Sequence, residues 1–166
     1  MSKSKLEISK ESGPHLRLAS LVGNWDGSTS TWFEADILAD ESPMQGKINF
    51  LFDGRFINYE YKGTLNGKPY EGRMTWGYDL GNEKCQCSWV DTFHLGTAIM
   101  HSEGHETRSG FVVLGSYSGP GIPVPWGWRT ELEIINPDQF IIRAFNISPD
   151  GEEAKATETI YHRIEK

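Results

Sequence analysis

Cysteine is nearly missing from this chain: 166 residues carry two, Cys85 and Cys87. On one extended strand these side chains point the same way about 6.6 Å apart, so a bridge between them would be strained. No second cysteine pair exists to complete a tetrahedral zinc site. A disulfide framework and a zinc ribbon are therefore excluded, and two small buried thiols remain. Long apolar runs are also lacking. No window approaches the about 20 residues of a membrane-spanning helix, and residues 1–12 are polar and lysine-bearing without an apolar signal core. The expectation is a cytoplasmic protein with no membrane partner.

Positive charge is in short supply, with 16 Lys and Arg against 23 Asp and Glu, a net charge of -7 and an isoelectric point near 5.2. Nucleic acid is not an expected partner, because that affinity rests on cations neutralising phosphates. The sequence holds no internal repeat, phosphate-binding glycine loop, nucleophile elbow or dinucleotide fingerprint; Gly119-Pro120-Gly121 is interrupted by proline and opens no helix. Nucleotide-dependent chemistry is disfavoured. Helical periodicity, finally, is confined to residues 13–22, where Pro14 near the start and Leu18, Leu21 and Val22 predict a short helix closing one end of the domain.

What the chain does have is turn chemistry at regular intervals. Asp53-Gly54, Asn66-Gly67, Asp79 to Asn82, Asn136-Pro137-Asp138 and Pro149-Asp150-Gly151 separate short alternating segments. They predict ten strands near 24–34, 46–52, 55–65, 69–78, 84–92, 97–105, 109–117, 127–135, 139–147 and 153–164. Ten strands in up-and-down order close into an all-β antiparallel barrel more readily than they stack, and 166 residues suit one domain. Residues 1–12 read as a flexible tail and 13–166 as the barrel. The stretch 118–126, with three prolines and two glycines, is predicted to be a stiffened loop that could lie over a barrel mouth.

Side chains alternate along a strand, so parity separates the two faces. One face carries Ile57, Tyr59 and Tyr61 in the third strand and Tyr70, Met74, Trp76 and Tyr78 in the fourth. Cys85, Cys87, Trp89, Asp91 and Phe93 share a face in the fifth, and Trp128, Leu132 and Ile134 in the eighth. An interior of this kind is aromatic, with polar tips needing partners that a ligand or water in a cavity would supply. The alternative is a barrel filled by aromatics packed on each other.

Charged and metal-ligating candidates are few. His101-x-Glu103-x-His105 invites a metal reading, but His101 and His105 lie about 13 Å apart on an extended strand, too far for one ion. With His94 they read as histidines near a barrel rim, and no metal is expected. Asp91 is the carboxylate that parity places inside, as a ligand anchor, a general base or a satisfied polar group at a strand end. Arg129, Arg143, Glu158 and His162 read as outward-facing groups.

Several motifs in order, Leu21-Val22-Gly23-Asn24-Trp25, Gly54-Arg55-Phe56, Gly72 to Asp79, Ser88-Trp89-Val90-Asp91, Ser102-Glu103-Gly104 and Gly127-Trp128-Arg129-Thr130, resemble a bacterial family known as domain of unknown function 1579. The resemblance extends through Pro149 to Glu153 and Tyr161-His162-Arg163, covering the chain from about Pro14 onward. It implies a calycin-like barrel, grouped with lipocalins, fatty-acid-binding proteins and nitrobindins. By the same analogy Trp25 would close the barrel bottom and Arg163 would stack on it as a structural lock. No catalytic residue is carried over.

The expected function is thus the binding of a small apolar or aromatic ligand, the cofactor being unknown. Tyr59, Tyr61, Met74, Trp76, Trp89 and Trp128 would supply contact area and Asp91 orientation. Haem ligation through a final-strand histidine, in the manner of nitrobindins, is the second reading; the candidate there is His162. An enzyme using Asp91 or a histidine of the 94–105 region is the third, and a homodimeric interaction module the fourth.

Overall fold

The computed structural model describes residues 2–164. Its ten strands are β1 (Gly23–Glu34), β2 (Ile37–Leu51), β3 (Phe56–Leu65), β4 (Lys68–Asp79), β5 (Lys84–Asp91), β6 (Met100–Glu106), β7 (Gly110–Gly119), β8 (Ile122–Asn136), β9 (Gln139–Ile147) and β10 (Glu153–Arg163). Each pairs antiparallel with its sequence neighbours, and β1 pairs with β10 to close the barrel. Closure leaves no free sheet edge in the body of the barrel, so a chain rich in strand segments needs no second sheet to cover it.

The turns do what their residues dictate. Asn66 and Gly67 both adopt positive φ (49° and 75°), the geometry that matches a two-residue hairpin to strand twist. Between β4 and β5 the Asp79 carboxylate accepts the N–H groups of Gly81 and Asn82 at 2.8 and 3.2 Å.

Three expectations are corrected. The 118–126 stretch is not a loop: Pro120-Gly121 forms the turn of a β7–β8 hairpin, with Gly119 opposite Ile122 and Tyr117 opposite Trp126. β9 begins to pair with β8 only at Gly127, so Pro123 and Pro125 stand on a free edge, where a missing N–H costs no ladder bond. Secondly, β2 starts nine residues before the expected 46; its first part, through Pro43, pairs with β1 alone for the same reason. Thirdly, the segment expected as a tail carries a helix, α1 (Lys5–Ser12), ahead of α2 (Pro14–Ala19). Ser4 and Glu7 form a reciprocal capping box on α1, a motif whose cap alone is worth about 1 kcal/mol.

The two helices lie across the end of the barrel where the chain enters. Arg17 of α2 pairs with Glu106 and donates to the Thr107 and Arg108 carbonyls, and Lys10 of α1 pairs with Asp53. Beneath them Leu18, Leu21, Trp25, Ile57, Trp76, Phe111, Phe140 and Tyr161 form a sealed floor. Phe140 meets Trp25 edge-on with ring centroids 4.7 Å apart and stacks on Tyr161 at 4.8 Å. Arg163 lies over the Trp25 ring at 4.2 Å and donates to the carbonyls of Ser20, Val22 and Pro137. A side chain at residue 23 would collide with the Arg163 guanidinium, and φ there is +147°, so Gly23 is required twice over.

On the outer wall, Arg143 bridges Glu133 and Glu158, while Arg129 holds Glu131 and Glu153 and covers Phe145. These charges face outward, as parity predicts. None of the described residues forms a helix long and apolar enough to cross a membrane.

Candidate functional site

The interior divides into three levels. Above the sealed floor lies a chamber of about 40 Å³, lined by Tyr59, Tyr61, Met74 and the hydroxyls of Thr29, Thr130, Thr157 and Thr159 among others. Its size suits about one water molecule. Above it three rings, Trp89, His94 and Trp128, border both this chamber and a wider cavity of about 350 Å³ at the mouth. Trp89 and Trp128 are stacked, with centroids 5.3 Å apart and planes 24° apart, and His94 sits 5.3 and 5.8 Å from them. The mouth cavity is completed by Trp32, Phe33, Tyr117, Met100, Asn146 and Ala156.

His94 reaches this position because β5 ends earlier than its sequence suggests. Asp91 Oδ1 accepts the backbone N–H groups of Phe93 (3.2 Å), His94 (2.6 Å) and Leu95 (3.1 Å), turning the chain inward. The loop 92–99 therefore folds over the mouth, and β6 begins at Met100 rather than at 97. Phe93, placed inside by parity, lines the mouth cavity and is nevertheless 46% exposed, because the strand has already stopped and the cavity opens there.

Asp91 is the anchor of a polar series. Its Oδ2 meets His94 Nδ1 and accepts from the Tyr61 hydroxyl at 3.4 Å, and Tyr61 in turn accepts from Trp89 Nε1 at 2.8 Å. Gly72, between Tyr61 and Asp91 in register, makes this approach possible: a Cβ there would lie 2.1 Å from the Tyr61 oxygen and 2.7 Å from the Asp91 Cβ. The Asp91 side chain has no exposed surface. Burial raises its pKa, but the His94 ring N–H, the His94 charge and the backbone N–H groups of His94 and Leu95 outweigh burial and hold it below the ordinary carboxylate range. Burial pushes Tyr61 well above the ordinary phenol value, and the neighbouring carboxylate pushes it further.

The residues singled out from sequence thus fall into distinct places. Trp89 and Trp128 line both spaces; Tyr59, Tyr61 and Met74 line the small chamber. Trp76 is fully buried in the floor and borders neither, and Asp91 stands behind His94. His94 is the residue whose importance sequence reading understated. An aspartate at the end of a strand, followed by a histidine three residues on, was the available signal. Trp32 and Tyr117 were also missed.

The other candidates lie outside. His101, Glu103 and His105 are exposed on the outer face of β6, and Glu103 pairs there with Lys84. Among the described residues no three His, Cys, Asp or Glu side chains are grouped to hold a metal ion. His162 is likewise exposed, its neighbour Tyr161 being the inward residue. A final-strand histidine therefore cannot ligate a haem inside this barrel. Cys85 and Cys87 are free and buried; burial pushes the Cys85 thiol up to about 12 and Cys87 well above its ordinary value.

Closed ten-stranded up-and-down antiparallel barrels capped at one end and open at the other form the class to which this architecture assigns the molecule. Within it the chain belongs to the family described as "Protein of unknown function (DUF1579)", whose model matches residues 10–163. Among solved structures it is similar to Rv2717c from M. tuberculosis, with a TM-score of 0.64 and 13% identity over 92% of this chain and 98% of that one. It is also similar to the S-type phycobiliprotein lyase CPES from Guillardia theta, with a TM-score of 0.60 and 14% identity over 99% of both chains. At such identities the likeness is one of fold. No curated protein sequence matches the chain.

Proposed function

We propose that the protein binds a small, largely apolar aromatic compound in the cavity at the barrel mouth. The observation that carries this reading is a space of about 350 Å³ walled by Trp32, Trp89, Tyr117 and Trp128, with one histidine at its base. That volume lies at the lower end of the range for small-molecule sites, and aromatic walls with few polar groups are their usual composition. The rim supports it too: Phe33, Ile37 and Leu38 on the β1–β2 hairpin, Ile99 before β6, and Val124 and Trp126 on the β7–β8 hairpin are all exposed. An apolar solute meets apolar surface on its way in. The phycobiliprotein lyase shares the fold, which supports the architecture and leaves the ligand open.

The test is titration with the fluorescent probe 1-anilinonaphthalene-8-sulfonate. One saturable site is expected, lost in Ala156→Phe, which fills the cavity from its wall, and retained in Trp76→Phe, which alters the distant floor. Binding that ignores Ala156→Phe, or no binding at all, would remove the reading. Native mass spectrometry of the purified protein adds a direct search for a retained organic mass.

A second reading, an enzyme with His94 as general base, draws on one feature: the Asp91 carboxylate orients an imidazole at a cavity, the arrangement that sets a histidine's tautomer. Hydrolysis of 2-naphthyl acetate that disappears in His94→Phe would favour it, and hydrolysis equal to the buffer rate would count against it.

A further inference from the structure

The rings and the charges at the mouth together specify the charge of what enters; this inference rests on the mouth cavity being the ligand site. Its lining includes Trp32, Phe33, Trp89, Phe93, Tyr117 and Trp128, and among the described residues that line it none is lysine, arginine, aspartate or glutamate. The rings do not lie in one stack. Trp89 and Trp128 are 24° apart, whereas Tyr117 stands at 75° to Trp128, so indole and phenol occupy adjoining walls. An aromatic ring carries negative charge density on its faces and attracts a cation within about 6 Å of its centroid. One such contact already exists at this site: the Lys155 ammonium lies 5.4 Å from the Trp32 centroid, its charge paired with Glu158.

The charges nearby point the same way. His94 at the base carries one positive charge at most, and its Nδ1 meets the Asp91 carboxylate, which that contact and the backbone N–H groups of the turn hold ionised. The pair is therefore neutral or negative. Around the opening, the segments that connect the strands, 35–36, 66–67, 92–99, 120–121 and 148–152, carry Asp36, Asp150 and Glu152 and no lysine or arginine. Glu34 and Lys68 at their margins offset one another. A chain of net charge -7 thus turns part of its excess carboxylate toward the mouth, where it attracts a positive solute. An anion finds no lysine or arginine in the described wall. A primary ammonium brings three N–H groups to a wall with few acceptors, since Asn146 Oδ1 already receives the Tyr117 hydroxyl. A quaternary ammonium has no N–H to satisfy, and ring faces are its usual partners. We propose that the mouth cavity recognises aromatic quaternary ammonium compounds, with the ammonium held among the rings of Trp89, Tyr117 and Trp128.

The experiment titrates the protein with phenyltrimethylammonium and with tert-butylbenzene, read by tryptophan fluorescence. The two compounds share one shape and differ in a positive nitrogen for a neutral carbon. The cation is expected to bind about tenfold more tightly at low salt. Raising the ionic strength from about 0.01 to 0.15 M shortens the Debye length from about 30 to 8 Å and should weaken the cation alone. The triple change Asp36→Asn, Asp150→Asn and Glu152→Gln should reduce that salt dependence. Tyr117→Leu should lower the cation's advantage by about threefold and Tyr117→Phe should preserve it, while unchanged affinity for tert-butylbenzene reports that the cavity is intact in either variant. Equal or weaker binding of the cation by the wild-type protein would overturn the proposal, and the apolar site would then stand on the neutral compound. Absence of binding by both compounds would remove the underlying site as well.

Discussion

Asp91 does different work with each of its two oxygens. Oδ1 gathers three consecutive N–H groups and makes the turn; Oδ2 orients His94 and Tyr61. Asp91→Ala should therefore cost about 2–3 kcal/mol in a urea unfolding experiment, since it removes the acceptor that holds the turn's three N–H groups and the buried Tyr61 hydroxyl, and probe affinity should fall with it as His94 loses its anchor. Because the folded-state pKa of Asp91 is depressed, its contribution is present above the unfolded carboxylate value and is lost as pH falls through the folded one. The phenols behave oppositely. Burial raises Tyr59, Tyr61 and Tyr161, and raises Tyr70 to about 12. Their neutral forms stabilise the fold below about pH 10, and the protein should unfold as pH climbs beyond that, with phenolate absorbance before unfolding limited to the partly exposed Tyr78 and Tyr117. The two thiols, held protonated in the wall, should react with a disulfide reagent only on unfolding. At this scale the aromatic interior was readable, because strand parity needs only the next residue but one. The His94–Asp91 contact was not, because it depends on where β5 stops, and that is set by the backbone groups Asp91 captures.

The elements that position the site are the loop 92–99, the β7–β8 hairpin and the helical cap. Within the cap, the Ser9 hydroxyl of α1 accepts the backbone N–H of His15 at 3.2 Å and lies 2.8 Å from His15 Nδ1, to which it can donate only while that nitrogen is unprotonated. Burial lowers the His15 pKa, opposed by a hydrogen bond to the Arg55 backbone and assisted by the nearby Lys10 and Arg55 charges. Neutral His15 thus supports the cap above its unfolded value near 6.5, and that support is lost as pH drops below it. Stability measured from pH 8 down to pH 5 should fall in the wild type and fall less in His15→Gln. The strands themselves were largely legible in turn residues such as Asn66-Gly67. The prolines of 118–126 misled, since they forbid only a strand paired on both sides, and pairing on one side was what the chain used. α1 escaped notice because its single buried residue, Ser9, leaves no apolar stripe to read.

For the molecule as a whole, one end is fastened and the other left open. Arg163 ties the last strand to the first: it covers Trp25 and holds three carbonyls, two of them in the segment joining α2 to β1. Arg163→Ala should lower global stability by about 2 kcal/mol, read as a shift in urea midpoint, while leaving probe affinity unchanged because the mouth lies at the far end. The sequence by itself determined the class of fold, the strand count, the aromatic character of the interior and the outward charges, all of which follow from period-two alternation and local turn chemistry. Only the tertiary structure decided where space remains. Whether inward rings leave a void depends on how ten strands set them against one another across the barrel, and no local pattern encodes that. Here Trp76, Phe140 and Tyr161 fill the floor, Trp89 and Trp128 stack above it, and a histidine from a loop rather than a strand completes the site.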